Sequence, residues 1–291
     1  MNYIFKELEL PITYINGDYQ VKIDKNGTKT RTYFDELHPK FPETIDLNIS
    51  NYCEHNCSFC YISASKEGKH GDLNLPIFSQ IRKGTEVAIN FAKHPDLFDF
   101  LIRMRERKVI VNMTVNQKDL NDDFFIRVMK SGLITGLGIS VSSLNNPYEF
   151  DHKHIVYHVI VGITPVSIIK QLVNENKNVL ILGYKSKGRG INLTVQYDEL
   201  KESIGEILQS KKAVSFDNLA IEQLNIKDII PFEIWEKYYM GEEGSFSLYI
   251  DSVTKTFSLS STETESFKLY YTIEECFREV QKLREDKNAR K

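Results

Sequence analysis

The chain has 291 residues, 41% of them hydrophobic and 26% charged, and a formal net charge of −3. That length holds one large α/β domain or two small ones, and the composition is that of a globular protein. A charge this close to neutral excludes bulk attraction to nucleic acid or an anionic membrane. No apolar run reaches the roughly 18 residues of a membrane span. The opening MNYIFKELELPITY carries neither the basic start nor the apolar core of a secretion signal, so a cytoplasmic location is expected.

Residues 1–41 read as a small β element. Ile12–Ile15 is a short strand candidate, and Tyr19, Val21 and Ile23 alternate with polar residues. Asn16-Gly17 and Asn26-Gly27 are turn signals, which predicts a hairpin or meander packed beside the main domain. From Pro42 the rhythm changes. Apolar runs at Thr44–Ile49, Glu86–Phe91, Val109–Val115, Gly136–Ser142, Ile155–Ile163 and Asn178–Tyr184 read as strands. Helix candidates lie between them at Pro95–Arg107, Asp122–Ser131, Pro165–Asn174 and Val195–Ser210. Asn121-Asp122-Asp123 and Thr164-Pro165 are helix-start signals. Six strands with intervening helices predict an α/β fold with a parallel sheet of right-handed βαβ units, whose spacing suits an open sheet and a barrel equally.

In the remainder, Val214–Phe216 is a further strand candidate. Phe246–Ile250 and Thr256–Leu259 read as a second hairpin, and Thr272–Glu285 as a terminal helix with Ile273, Phe277, Val280 and Leu283 near one face. Lys287–Lys291 are expected to fray. The predicted divisions are 1–41, 42–212 and 213–291. No flexible linker separates them, so one compact unit is expected.

The first run of the βα region leads into Ile49-Ser50-Asn51-Tyr52-Cys53-Glu54-His55-Asn56-Cys57-Ser58-Phe59-Cys60-Tyr61. Three of the four cysteines lie here, spaced C-x-x-x-C-x-x-C, and are placed to hold one metal centre. A [4Fe–4S] cluster usually takes four thiolates. Three on one tight loop leave an iron open to a reactive ligand, as in catalytic zinc sites. The alternative is a structural zinc in a binding module, with His55 as fourth ligand; no second ligand pair accompanies it. Cys276, alone in the terminal helix, reads as a small apolar packing residue.

A strand followed by C-x-x-x-C-x-aromatic-C resembles the signature of the radical S-adenosylmethionine (SAM) superfamily, with Phe59 in the aromatic position. The resemblance covers roughly residues 42 to 190 and implies a partial (βα)6 TIM-like barrel, with the N-terminal β element and the C-terminal hairpin plus helix added to it. It further implies that Cys53, Cys57 and Cys60 hold a [4Fe–4S] cluster whose open iron chelates SAM. Reductive cleavage then yields methionine and a 5′-deoxyadenosyl radical, which takes hydrogen from a substrate the sequence does not identify. A reductant protein such as flavodoxin or ferredoxin is the implied partner. No second cysteine cluster, cobalamin domain or nucleic-acid module is evident.

In that superfamily the second strand ends in Gly-Gly-Glu-Pro, which meets the amino group of SAM, and a His-Pro often follows. His94-Pro95 fits the tail of the motif, but Ala88-Ile89-Asn90-Phe91 stands where its body belongs. Asn90 is then implied to accept from the SAM ammonium through its amide oxygen, without a charge. This departure motivates a second reading: a cluster-binding relative without SAM cleavage, serving electron transfer, sensing or structure. Ser140 and Ser142 resemble ribose contacts on the fourth strand; as a plain reading they cap the next helix. Gly183 and Tyr184 fall where backbone edges the adenine. Lys185 and Arg189, in the basic loop Lys185–Gly190, suit an anion or a solvated turn. His152, His154 and His158 would share a strand face and suit a metal or acid/base pair, or simple packing. Asp217, Asn218, Glu222 and Gln223 are candidate substrate contacts or a helix N-terminal box.

Overall fold

A computed structural model describes residues 5–209 and 213–289. The predicted helix end at Ser210, the boundary at residue 212, and Arg290 and Lys291 lie outside the described residues. The N-terminal element is an antiparallel meander of β1 (Ile12–Asn16), β2 (Tyr19–Ile23) and β3 (Lys29–Thr32). Strand periodicity puts Tyr19, Val21 and Ile23 on one buried face. That face forms a small core with Ile12 and with Ile110 of the main sheet.

Among the described residues the main sheet has ten strands. Seven follow in chain order, each parallel to the one before: β4 (Thr44–Asn48), β5 (Glu86–Asn90), β6 (Ile110–Asn116), β7 (Gly136–Ser140), β8 (Ile155–Ile160), β9 (Val179–Leu182) and β10 (Val214–Phe216). β11 (Ser247–Asp251) lies parallel on the other side of β4, and β12 (Thr256–Ser258) and β13 (Phe267–Lys268) continue antiparallel from it. The helices are α1 (Leu97–Glu106), α2 (Asp123–Lys130), α3 (Val166–Asn174), α4 (Asp198–Ile207), α5 (Asn218–Leu224), α6 (Ile226–Ile229), α7 (Phe232–Tyr238) and α8 (Ile273–Asn288). Loops, not α-helices, join β4 to β5 and β7 to β8. Among the described residues no helix is long and apolar enough to cross a membrane.

Alternation decides which way each strand faces. Ile45, Leu47, Val87, Ile89, Val111, Val115, Ile139, Val159 and Ile181 are buried in one core with Phe100, Phe125, Ile169, Leu172 and Ile204 of the helices. Residues of the opposite parity, including Ala88, Asn112, Thr114, Gly138, His158 and Leu180, line a cavity. Leu10, Ile23, Asn26 and Gly27 of the N-terminal segment also line it, together with Glu86 and Ile110 at the strand starts. The junction is held by Glu43, whose side chain has no exposed surface. It receives Arg31 Nε and Nη2 at 2.9 and 3.0 Å, Lys29 Nζ at 3.3 Å and the Tyr19 hydroxyl at 2.6 Å.

Several expectations are corrected. Residues 213–291, expected as an extension within one compact unit, supply β10 and β11 at opposite ends of the parallel run, giving eight parallel strands where six, with Val214–Phe216 as a further candidate, were expected. The cause is burial, since Leu248 and Ile250 of β11 pair with Ile45 and Leu47 of β4 and share their core. The fourth βα strand ends at Ser140, so Ser142 is not on it. α8 runs on to Asn288, and Lys287, expected to fray, pairs with Glu263 at 2.6 Å.

Candidate functional site

The carboxyl ends of the parallel strands gather on one rim. There β4 gives way to the long cysteine loop. Backbone hydrogen bonds shape it: Asn51 N–H to the Lys69 carbonyl (2.9 Å), Cys53 N–H to Ser65 (2.9 Å), Ser65 N–H to Asn51 (3.0 Å) and Gly71 N–H to Ile49 (2.9 Å). Cys57 and Cys60 are joined by a turn around Phe59, with Cys60 N–H on the Cys57 carbonyl at 3.2 Å. The Ala64 N–H points at Cys60 Sγ (3.4 Å). All three thiols are half-buried. Burial, then the neighbouring Cys53 and Cys60, push the Cys57 thiol up. A metal bound by these thiols would offset that repulsion with its positive charge and favour their thiolate forms.

Among the described residues no three His, Cys, Asp or Glu side chains form a group able to hold a single metal ion. His55, the alternative zinc ligand, directs Nε2 to Asp119 Oδ2 at 2.7 Å. Three half-buried thiols on one pinned loop are a donor set of the kind iron–sulfur clusters take.

Side chains from elsewhere fasten this loop. Asn90, at the end of β5, accepts from Ile49 N–H through Oδ1 (3.1 Å) and donates through Nδ2 to the Ser50 carbonyl (3.2 Å). The buried His94 accepts from Asp96 N–H at Nδ1 (3.0 Å), so Nε2 carries the proton and donates to the Gly71 carbonyl (2.9 Å). Both ends of the loop are thus held from the end of β5 and the segment after it. The basic loop after β9 holds its middle. Arg189 donates through Nε to the Cys57 carbonyl and through Nη2 to the Ala64 carbonyl, both at 2.8 Å, and its N–H reaches the Cys60 carbonyl at 3.1 Å. Gly188 has φ +56°, and a Cβ there would lie 2.5 and 2.7 Å from the Tyr61 and Cys60 carbonyl oxygens, so this approach requires glycine. Arg189 is therefore a clamp on the cysteine loop, neither a free anion ligand nor a solvated turn residue. Arg189→Met is expected to remove two charge-assisted bonds of roughly 1.5–3 kcal/mol each while leaving the sheet intact. Iron content after anaerobic reconstitution should fall several-fold and proteolysis within residues 53–65 should accelerate, with unchanged circular dichroism.

The other sequence-predicted residues are distributed unevenly. Ser140, the last residue of β7, has Asn116 and His158 as its strand neighbours. Ser142 N–H is taken by Oε1 of the buried Gln117 (2.6 Å), which also accepts from Ser143 N–H (3.1 Å). The backbone of Gly183 and Tyr184 is already engaged. Gly183 N–H donates to Asp217 Oδ1 (2.8 Å), and the Tyr184 N–H and carbonyl pair with the Gln223 amide, both at 2.8 Å. Asp217 also caps α5 through Ala220 N–H (2.7 Å). The structure thus gives Asp217 and Gln223 positioning roles. The three histidines do not assemble: His152 and His154 precede β8, and only His154 and His158 line the cavity.

Sequence reasoning named Lys185 but missed the carboxylates Asp46 and Glu243 near it. Lys185 Nζ donates to Ser261 Oγ (2.6 Å) and lies 4.2 Å from the Tyr61 ring centroid. Burial raises the Asp46 carboxyl, against the pull of Lys185, although the residue keeps exposed surface. Burial, then Asp46 and Asp217, push Glu243 up to about 7. The alternation of Asp46 and Asn48 with Ile45 and Leu47 was the available signal.

The fold and site together define an α/β protein with a chain-ordered parallel sheet and a pinned three-cysteine loop at its rim. A scan against protein-family models and a search of curated proteins give no match to this chain.

Proposed function

We propose that the chain is a radical SAM enzyme, its parallel sheet being the wall of a partial barrel and Cys53, Cys57 and Cys60 the protein ligands of one [4Fe–4S] cluster. The observation that carries this reading is the placement of the three-thiol loop: it follows the first parallel strand at the carboxyl rim, where such folds keep their chemistry. When bound, the cluster supplies the electron that cleaves SAM. The chain's own groups do the rest. Asn90, His94 and Arg189 keep the thiols in place, and Ser140 stands at the rim for the SAM ribose. The substrate is a hydrogen donor, and a flavodoxin- or ferredoxin-type reductant and a cytoplasmic location belong to the same reading.

One observation favours the second reading, a cluster-binding relative that does not cleave SAM. The Asn90 amide is already engaged by the backbone at Ile49 and Ser50, with one lone pair and one N–H left over, and no carboxylate stands in its place. A neutral bond contributes about 0.5–1.5 kcal/mol against about 1.5–3 for a charge-assisted one, so even an active enzyme should bind SAM about ten-fold more weakly than a relative with the acid. The deciding experiment incubates anaerobically reconstituted protein with dithionite and SAM. Accumulation of 5′-deoxyadenosine and methionine supports the enzyme; cluster content without either product supports the relative.

A further inference from the structure

We propose that the cavity between the sheet and the N-terminal segment is a binding site for an uncharged, largely apolar small molecule with a hydrogen-bonding edge, such as a nitrogen heteroaromatic. The site stands whether or not the cysteine loop holds a cluster. Its volume, about 390 Å³, falls in the range of roughly 300–1,000 Å³ typical of small-molecule sites. Ala88, Met113, Val156 and Leu180 supply apolar wall. Asn112 and Thr114 from β6 and His158 from β8 enter it from opposite sides of β7.

The glycines of β7 make this convergence possible. A Cβ at Gly138 would lie 2.5 Å from His158 Cε1, 2.7 Å from its Nε2 and 3.0 Å from Thr114 Oγ1. A Cβ at Gly136 would lie 2.6 Å from Asn112 Oδ1. Side chains of the flanking strands therefore lean over a strand stripped of its own. None of these three side chains has a hydrogen bond to another described residue, and Thr135 Oγ1, in the same wall, is buried without a partner. Asn112, Thr114 and His158 keep accessible polar groups in the cavity wall, and Thr135 Oγ1 has no partner among the described residues, so the wall offers hydrogen-bonding groups to a molecule that brings the partners.

Charge selects the class. Among the described residues the wall has no Lys or Arg, and its only carboxylate, Glu86, is paired with Lys29 at 3.0 Å. Burial pushes His158 down to about 4, and no charged neighbour contributes, so its ring is neutral and both donates and accepts. An ionic ligand would find no counter-charge here.

The test titrates indole, 2-pyridone and benzamide into the full-length protein, with and without iron, following the His158 ring resonances by NMR and the melting temperature. Benzoate and benzylammonium serve as charged analogues. At least one neutral probe should shift the His158 resonances and raise the melting temperature, with the charged pair about ten-fold weaker or absent. His158→Leu, Asn112→Leu and the cavity-filling Leu180→Phe should each weaken binding about ten-fold at unchanged circular dichroism, as loss of one hydrogen bond or of the space implies. No shift with any neutral probe, equal binding of a charged analogue, or undiminished binding in all three variants would overturn the proposal. Binding by a protein that fails to cleave SAM would leave this site standing and end the enzyme reading. A protein that cleaves SAM but binds no neutral probe would do the reverse.

Discussion

Cys53→Ala, Cys57→Ala and Cys60→Ala are each expected to abolish incorporation of iron and sulfide, whereas Cys276→Ala should retain about four of each per chain. The three loop cysteines are half-buried at the rim, on a backbone tied down at both ends and clamped in the middle by Arg189. Cys276 is fully buried in α8, within the main core. Burial pushes its thiol up to about 11, so it offers no thiolate at neutral pH. Replacing it should cost on the order of 1 kcal/mol through the small cavity left behind. Iron and sulfide analysis of anaerobically reconstituted variants checks this. Loss of the cluster in Cys276→Ala, or its retention in any single loop variant, would refute the three-ligand assignment.

The second large effect concerns stability. Arg31→Met should destabilise the protein by about 3–5 kcal/mol, through loss of two charge-assisted hydrogen bonds of roughly 1.5–3 kcal/mol each that leaves the buried Glu43 with Lys29 as its remaining cation. Arg31 makes both Nε and Nη2 bonds to Glu43, which has no exposed surface and joins the meander to the start of β4. At roughly 2–4 °C per kcal/mol for a chain near this size, the melting temperature should fall by on the order of 10 °C. The double variant Arg31→Met, Glu43→Leu should recover much of the loss, because it removes the stranded charge as well. Acid sensitivity follows from the same group. Burial alone would push the Glu43 carboxyl up, but Arg31 and Lys29 outweigh it and hold it below the ordinary carboxylate range. Its contribution is therefore complete above the ordinary carboxylate pKa and is lost as pH falls through the lowered one. Melts below pH 4.5 should show the wild type losing stability more steeply than the double variant. A single variant that melts with the wild type would remove this pair from the account of how the meander is held.

Much of the architecture was legible because its causes are local. The alternation of Tyr19, Val21 and Ile23, the strands from Thr44 to Phe216 and the Asp122 cap of α2 each depend on neighbours a few positions away. The C-terminal hairpin was visible for the same reason, but not its docking: β11 lies against β4 because two apolar faces separated by most of the chain exclude water together. Asn90 shows the difference at the candidate site. Its spacing before His94 suggested a cofactor contact, and only the folded loop shows its amide holding Ile49 and Ser50. Arg189 and Gln223 likewise carry no local signal of the backbone groups they hold.

The sequence by itself determined the spacing of the three thiols and the order of the strands, since both follow from chain position and short-range pattern. The tertiary structure alone decided what fastens the cysteine loop, and how Asn112, Thr114 and His158 come to share one cavity. A polar side chain gains its hydrogen bonds, or is left without them, only from what distant pairing brings beside it.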